Sequence, residues 1–200
     1  MIKLVLFDLG GVVIDISNHE HYKYLAKTSG IPSREIALRM RMENVAHERG
    51  DISYRKFMHD VADDLGIAPE QVLWMHYFKK FAKLNRRVVD IAKKLKKNYK
   101  LGFLSNVDSE RYNYAIRRIL KPILPVFDYK FASYKLREVK PSPAIYRKVL
   151  KLTKLKPEEM VFVDNDIRNV DGAMQVGIKA IRFTSVLQLK EDLKRLGIKM

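Results

Sequence analysis

The chain has 200 residues, of which 47% are hydrophobic, so it can bury one sizeable core or one core with a small accessory domain. It has no cysteine and no apolar run near the ~20 residues of a membrane span, which excludes disulfides, thiolate chemistry and membrane insertion. The formal charge is +16, but the basic residues are spread along the chain, which favours a solvated surface over a nucleic-acid interface. We expect a cytoplasmic protein.

The first predicted element is an apolar run at the N-terminus. Residues 2–7 contain a single lysine and are followed by Asp8 and the pair Gly10-Gly11. This pattern predicts a strand that is buried on both faces and enters a tight loop. The segment from about 18 to 84 has helical spacing and no convincing strand, and it predicts helices over 19–29, 33–48, 53–65 and 69–83.

Polar residues and glycines mark the ends of these helices. Ser33 and Ser53 are candidate N-caps, because a hydroxyl can accept a hydrogen bond from a free backbone N–H. Glycine is favoured just after a helix, and the predicted breaks are Gly30, Gly50 and Gly66. On the second helix, a stripe at helical spacing predicts the face that packs inward: Leu38, Met42 and Val45.

From residue 86 onward, helices and strands alternate. This alternation predicts an α/β fold with a doubly wound, parallel, Rossmann-like sheet. We therefore expect an α/β core domain at 1–16 and 86–200, and an inserted helical domain at 17–85. The predicted helices are 86–97, 109–120, 143–153, 167–176 and 186–196, and the predicted strands are 100–105, 128–133, 160–164 and 178–183.

Side chains able to carry chemistry follow the predicted strands. Asp8, Ser105 and Asp164 each end a strand, and Lys140 precedes Pro141-Ser142-Pro143 at a helix start. Because ligands bind at the carboxyl ends of strands in open α/β sheets, we expect one site at this edge. An aspartate can attack phosphorus, serine and lysine can hold phosphate oxygens, and carboxylates after the later strand suit Mg²⁺.

Each of these residues also has a plainer explanation when it is taken alone. Asp8 could cap a loop, Ser105 could cap the following helix, and Lys140 could be a surface lysine. The next helix has its own candidate N-caps in Asp108 and Ser109. The order of the four segments, rather than any single residue, favours phosphoryl transfer.

These segments resemble the motifs of the haloacid dehalogenase (HAD) superfamily over essentially the whole chain. The matching segments are Phe7-Asp8-Leu9-Gly10-Gly11-Val12, Leu104-Ser105-Asn106, Val139-Lys140-Pro141-Ser142-Pro143 and Val161-Phe162-Val163-Asp164-Asn165-Asp166. The helical insertion looks like the α-helical cap of that superfamily. With the segment 47–53, the first motif looks most like the branch of α-D-glucose-1-phosphate phosphatases and the phosphatase domain of soluble epoxide hydrolases.

The resemblance implies a magnesium-dependent phosphatase for a small phosphorylated metabolite, such as a sugar phosphate, working as a monomer or homodimer. Asp8 would form an aspartyl-phosphate that water hydrolyses. The resemblance assigns substrate binding to Ser105, Asn106 and Lys140, and Mg²⁺ binding to Asp8, the carbonyl of Gly10, Asp164, Asn165 and Asp166. From the cap helix we add His47 and Arg49 as substrate-binding residues, with Arg39, Arg41 and Glu43 nearby.

Two residues depart from the usual pattern of the superfamily. Gly10 stands where phosphatases carry the aspartate that acts as general acid and base, and Asp15 is a candidate substitute. Asn165 stands where a second acid is usual, so metal affinity should fall unless Asp166 turns towards the ion.

Four other functions stay open at this point. Gly10 and Asn165 would fit a binding or regulatory protein of the same fold with little or no catalysis. A dehalogenase would use the same aspartate without metal, but related dehalogenases have an aromatic residue in place of Gly10. A phosphorylated receiver domain would lack the helical insertion, and a nucleic-acid binder would need an aromatic and basic platform that we do not find.

Overall fold

The computed structural model describes residues 1–200 and contains seven strands and ten α-helices. The strands are β1 (Leu4–Phe7), β2 (Ile14–Asp15), β3 (Lys83–Leu84), β4 (Lys100–Ser105), β5 (Tyr129–Ala132), β6 (Met160–Asp164) and β7 (Lys179–Arg182). The helices are α1 (His19–Ser29), α2 (Ser33–Arg49), α3 (Tyr54–Leu65), α4 (Trp74–Phe81), α5 (Arg86–Leu95), α6 (Ser109–Tyr114), α7 (Ser133–Leu136), α8 (Pro143–Thr153), α9 (Ile167–Met174) and α10 (Val186–Arg195). No helix is both long enough and apolar enough to cross a membrane.

Five strands form one parallel sheet in the order β5-β4-β1-β6-β7. Phe7 in β1 is in register with Phe103 in β4 and with Val163 in β6. Asp8, which follows Phe7, and Asp164, which ends β6, therefore lie side by side at the carboxyl edge of the sheet. The predicted doubly wound α/β fold is confirmed.

The sheet separates two apolar layers, because successive side chains of a strand point to opposite faces. Val5 and Phe7 belong to a cluster of 28 buried residues on one face, and Leu4 and Leu6 belong to a cluster of 11 on the other. All four side chains of β1 are fully buried, which explains the continuous apolar run in the sequence.

Helices α1–α4 form a helical block with its own apolar cluster. The nine buried residues of this cluster all lie between Leu25 and Trp74. The chain enters and leaves the block through the antiparallel pair β2–β3, in which Ile14 faces Leu84. This short pair was not predicted, since two residues are too few to give a periodic signal. We call the sheet and helices α5–α10 the α/β part.

Several predicted helix ends are confirmed. Each break glycine follows a helix in the left-handed conformation, with φ of 76° at Gly30, 79° at Gly50 and 65° at Gly66. The Ser53 hydroxyl accepts a hydrogen bond from the Lys56 N–H at 3.2 Å, as an N-cap should. The prediction for Ser33 is wrong: it is the first residue of α2, Pro32 takes the cap position, and no side-chain cap bond forms.

The inward face of α2 also differs from the prediction. The stripe of Leu38, Met42 and Val45 is 56%, 76% and 39% exposed, whereas Ile36 and Met40 are buried. Two predicted helices are interrupted as well. A 3₁₀ turn at Pro69–Gln71 and a positive φ at Leu73 precede α4, and α6 continues as a π-helical turn at Ala115–Ile119.

Candidate active site

A buried cluster of three charged side chains lies at the carboxyl edge of the sheet. The Lys140 ammonium donates to Oδ1 of Asp8 at 2.8 Å and to Oδ2 of Asp164 at 2.6 Å. The Lys140 side chain is 1% exposed, the Asp164 side chain 0%, and the Asp8 side chain 10%. The sequence placed these three residues at separate strand and helix ends, and the fold brings them into direct contact.

The cluster contains two carboxyl groups but only one ammonium group. Burial raises the pKa of Asp8 to about 7; the Lys140 ammonium opposes this shift and the Asp164 carboxylate adds to it. Burial acts to lower the pKa of Lys140, but the two carboxylates outweigh it and raise that pKa. A second cation beside the cluster would oppose the rise in the pKa of Asp8 and favour its ionised form.

The backbone of Lys140 is held by Asn106. The Asn106 side chain accepts a hydrogen bond from the Lys140 N–H at 2.8 Å and donates to the Lys140 carbonyl at 2.9 Å. Both ends of the Asn106 amide are therefore occupied, so its side chain positions Lys140. Ser142 caps the next helix, since its hydroxyl accepts a hydrogen bond from the Ala144 N–H at 3.3 Å.

Close packing also fixes the loop that carries Lys140. A Cβ on Gly172 in α9 would lie 2.3 Å from the Pro141 carbonyl oxygen, so only glycine lets α9 approach this loop. On the same helix, Asn169 donates to Oδ2 of Asp164 at 3.1 Å, and its carbonyl accepts from the Tyr146 hydroxyl at 2.7 Å. The helix that follows β6 thus supports both the lysine and its carboxylate partner.

The side chains of Asp164 at the end of β6 and of the next two residues point in different directions. Oδ1 of Asp164 accepts a hydrogen bond from the Asp166 N–H at 2.8 Å. The Asp166 carboxylate caps α9 through the Arg168 N–H at 3.0 Å and pairs with the Arg168 guanidinium. The Asn165 side chain lies against Gly11, where an added Cβ would come within 2.7 Å of its amide nitrogen. Asn165 therefore covers the loop of Asp8, while Asp166 is engaged elsewhere.

Ser105 ends β4 and is 5% exposed. The cap of the following helix is Asp108, which accepts from the Arg111 N–H at 2.8 Å. Ser105 is therefore free of the capping role that was its plainer explanation.

A cavity of about 520 Å³ lies between this edge of the sheet and the helical block. From the α/β part it is lined by Asp8, Gly10, Ser105, Asn106, Lys140 and Asn165. From the helical block it is lined by Asn18, Tyr22, Arg41, Asn44, Glu48 and Trp74. Its floor is therefore charged, and its opposite wall offers amides, a phenol, a guanidinium and an indole ring.

One residue of the cavity wall was missed by sequence reasoning. Arg111 in α6 donates to Glu48 at 2.9 Å, pairs with Asp108, and stacks its guanidinium over the Trp74 ring at 4.7 Å. Its side chain is only 11% exposed. No local pattern in the sequence could reveal this role, because Glu48 lies 63 positions away.

Three residues that the sequence had suggested do not line this cavity. His47 is 2% exposed and stacks on Phe57, with ring centroids 4.4 Å apart. Arg49 is exposed and pairs with Asp51. Asp15 accepts from the Asn85 side chain at 3.0 Å on another surface, so the structure does not place it as a substitute acid.

A doubly wound α/β protein with an Asp–Lys–Asp cluster below a helical insertion has the arrangement of a HAD-type enzyme. The family of haloacid dehalogenase-like hydrolases matches residues 2–177, and the chain belongs to this family. The predicted superfamily is therefore confirmed, and the protein is a hydrolase of that family.

The relatives of the chain agree with this assignment. D-ribitol-5-phosphate phosphatase of Bacteroides thetaiotaomicron is 25% identical over 193 residues, which cover 91% of this chain and 92% of that protein. A HAD family enzyme of the same organism, crystallised with magnesium and inorganic phosphate, is similar with a TM-score of 0.74, 22% identity and coverage of 92% and 95%. L-2-haloacid dehalogenase of Xanthobacter autotrophicus is similar with a TM-score of 0.66, 18% identity and coverage of 100% and 85%. The two solved structures support the fold alone.

Proposed function

We propose that this protein is a magnesium-dependent phosphatase that acts on a small phosphorylated metabolite through an aspartyl-phosphate. The observation that carries the proposal is the Lys140 ammonium held between Asp8 at 2.8 Å and Asp164 at 2.6 Å. This arrangement provides a nucleophilic carboxylate at the cavity floor with positive charge beside it, where negative charge develops during phosphoryl transfer. The curated relative, named as a phosphatase, supports the same reaction.

Each residue of the cavity floor has one proposed role. Asp8 attacks phosphorus and carries the phosphoryl group until water releases it. Lys140 and Ser105 bind the phosphoryl oxygens, Lys140 by charge and Ser105 by its hydroxyl. Asn106 keeps Lys140 in place through its two backbone hydrogen bonds and is a positioning residue.

The donor set fits a magnesium ion. Asp8, Asp164 and the carbonyl of Gly10 are oxygen donors, and the raised pKa of Asp8 marks a need for further positive charge. Asn165, which lies against Gly11, can add its amide oxygen, whereas Asp166 is engaged by Arg168. A bound Mg²⁺ would supply charge that keeps Asp8 ionised and neutralises the phosphate.

We propose a sugar phosphate or sugar-alcohol phosphate as the substrate. Hydroxyl groups need hydrogen-bonding partners, and the wall opposite Asp8 offers Asn18, Tyr22 and Asn44. Gly10 offers no acid to protonate a leaving group, and Asp15 lies on another surface. A sugar-1-phosphate, whose leaving group needs the least protonation, should therefore lose less of its rate than an alkyl phosphate.

We also propose that residues 17–85 form a cap domain over the α/β core at 1–16 and 86–200. The separate apolar cluster of the helical block and its attachment at the β2–β3 pair support this division. A lid of this kind would exclude water during the reaction. Crystals grown with and without a phosphate mimic should differ in the angle between block and sheet. An unchanged angle, with the cavity open in both crystals, would argue against a lid.

A phosphate-release screen tests the proposed function. Sugar-1-phosphates, sugar-alcohol phosphates and p-nitrophenyl phosphate would each be assayed with Mg²⁺ and with a chelator. Asp8→Asn should abolish release, and the matched control Asp15→Asn should retain it, because Asp15 lies outside the cavity. Equal release by Asp8→Asn and wild type would exclude the proposed nucleophile.

The second candidate is a binding or regulatory protein of the same fold. The absence of an acid at Gly10 favours it, since the usual proton donor is missing from the site. No phosphate release from any compound in the screen, together with tight binding of inorganic phosphate, would favour this alternative.

A further inference from the structure

A second group of possible metal ligands lies where the end of α2 meets the start of α6. We call His47, Asp108 and Glu110 the junction cluster. Nε2 of His47 lies 3.6 Å from a Glu110 carboxylate oxygen, and Nδ1 lies 3.9 Å from an Asp108 carboxylate oxygen. One ligand atom from each residue falls within 4.8 Å of the other two. The cluster joins the helical block to the α/β part and adjoins a separate cavity of about 410 Å³.

The His47 ring is unusual because it is buried without a partner. The residue is 2% exposed, and neither ring nitrogen has a hydrogen bond. Buried polar side chains nearly always have partners, since an unpaired buried nitrogen costs on the order of 1–3 kcal/mol. The ring is also held rigidly, stacked on Phe57 at 4.4 Å. A ligand between the ring and the neighbouring carboxylates would satisfy it.

The charges around the ring favour a cation as that ligand. The guanidinium of Arg111 is shared between Asp108 and Glu48, and Glu110 has no lysine or arginine partner within 4.0 Å. A carboxylate without a counter-charge beside a buried imidazole is the nitrogen and oxygen donor pair that binds divalent transition metals.

The spacing between His47 and Glu110 fits a shared ion better than a hydrogen bond. A nitrogen–oxygen hydrogen bond is ~2.7–3.2 Å long, so 3.6 Å is too far. Two ligand atoms bound to one ion at ~2.1 Å each in tetrahedral geometry are about 3.4 Å apart. The Asp108 carboxylate lies 3.9 Å from the other ring nitrogen, beyond hydrogen-bond length, and adds negative charge beside the ring.

We propose that the junction cluster is a second divalent-cation site, which takes a first-row transition metal such as Zn²⁺ or Co²⁺. Nε2 of His47 and the Glu110 carboxylate are the ligands, the nearby Asp108 carboxylate adds negative charge, and water from the adjoining cavity completes the coordination. An ion in this place ties the last turn of α2 to the first turn of α6. It therefore fastens the helical block to the α/β part.

Cobalt titration of the metal-free protein in excess Mg²⁺ tests this site. Mg²⁺ saturates the oxygen-only donors near Asp8 and competes poorly for imidazole, so Co²⁺ reports on the junction cluster. We expect visible absorption bands of Co²⁺ bound to nitrogen and oxygen, with one equivalent bound. Co²⁺ should also raise the unfolding temperature, because it binds only the folded state.

Three variants show whether the binding belongs to these residues. Glu110→Gln should weaken Co²⁺ affinity at least about tenfold, which is the lower end of the loss in metal affinity when a residue around a metal site is replaced. Glu110 is 37% exposed, so the Glu110→Gln variant should fold even if the variant at the buried position, His47→Gln, does not. The control His59→Gln removes an exposed histidine of α3 and should bind Co²⁺ as the wild type does. No Co²⁺ binding in excess Mg²⁺, or unchanged affinity in Glu110→Gln, would overturn the proposal.

Discussion

The floor of the cavity and its wall on the helical side both hold a buried cation between carboxylates, but they are built differently. On the floor, Lys140 in the loop before α8 joins Asp8, which follows β1, to Asp164, which ends β6. On the wall, Arg111 joins Asp108 of the α/β part to Glu48 of the helical block. The floor thus lies within the α/β part alone. The wall forms only while the α/β part and the helical block stay in contact.

This difference assigns the proposed chemistry to the floor and the access to the cavity to the wall. Loops held by adjacent parallel strands keep a catalytic geometry that does not depend on the position of the helical block. We call the contacts of Arg111 with Asp108 and Glu48 the latch; in the proposed cap arrangement, its opening would expose the cavity without disturbing Asp8. The further bonds across the same boundary, from the Ser133 hydroxyl to the Glu48 carbonyl at 2.6 Å and from Arg137 to the Gly50 carbonyl, belong to this latch.

The largest expected effect concerns the inward face of α2. Ile36→Ala removes a fully buried side chain and should cost about 3.5 kcal/mol of unfolding free energy, through lost burial and a new cavity. Leu38→Ala, on the same helix but 56% exposed, is the matched control and should change it by less than about 0.5 kcal/mol. Denaturant unfolding measures both, and a greater cost for Leu38→Ala than for Ile36→Ala would show that the helix faces the other way.

Lys140→Ala tests the floor. Removing one well-placed donor to developing charge should lower kcat/KM about 100-fold, or ~3 kcal/mol. The exposed Lys151→Ala, on α8, is the control and should match the wild type. Because the variant leaves Asp8 and Asp164 without their ammonium, thermal unfolding should be measured alongside. An unchanged kcat/KM in a folded Lys140→Ala protein would show that Lys140 does not bind the phosphoryl group.

Acid should weaken the helical block through His21. Burial lowers the pKa of His21 from 6.5 to about 4, and its Nε2 donates to the Val72 carbonyl at 2.6 Å. Between these two pH values the unfolded state binds the extra proton, so stability falls as pH falls through that window. The loss should reach about 3 kcal/mol, since the shift spans about 2.5 pKa units and each unit corresponds to ~1.36 kcal/mol.

A histidine variant isolates this effect in pH-dependent denaturant unfolding. His21→Gln can still donate to the Val72 carbonyl but does not titrate, so its stability should vary less with pH. His76→Gln, at an exposed position of α4, should keep the wild-type dependence. The same acid sensitivity in His21→Gln would assign it to another group.

The smallest expected effect concerns magnesium. Asn165→Asp adds a charge beside the loop of Asp8 and should tighten Mg²⁺ about tenfold, because hard cations prefer charged oxygen donors. Asp166→Ala should leave affinity nearly unchanged, since Asp166 is engaged by Arg168 and by the start of α9. Calorimetric titration compares these variants with Asp164→Ala, which should bind most weakly. A greater loss of Mg²⁺ affinity in Asp166→Ala than in Asp164→Ala would show that Asp166, not Asp164, binds the ion.

Much of the α/β part could be predicted because burial on both faces leaves a continuous apolar run. β1 and β6 are such runs; Asp8 directly follows β1, and Asp164 is the last residue of β6. The carboxyl edge of a parallel sheet then brings Asp8 and Asp164 together without further information. Predicting the place of Lys140 also required the order of the motifs, since its contact partners lie 132 and 24 positions away.

The helical block was harder to predict, because a surface helix carries apolar residues on more than one face. Leu38 and Met42 gave a regular stripe, yet the buried face of α2 holds Ile36, Met40 and His47. The wall of the cavity depends on how the block rests on the sheet, which sets the contact of Arg111 with Glu48 and Trp74. Such contacts follow from tertiary packing and leave no local pattern.

Acid quenching in the first turnover tests the central claim, that Asp8 is the covalent nucleophile. Wild type and Asp8→Asn would be mixed with substrate and Mg²⁺, quenched, digested and analysed by mass spectrometry, with released phosphate measured in the same samples. The account predicts a phosphoryl adduct on the peptide that carries Asp8, and neither adduct nor released phosphate in Asp8→Asn. An adduct on a different residue, or full phosphate release by Asp8→Asn, would contradict it.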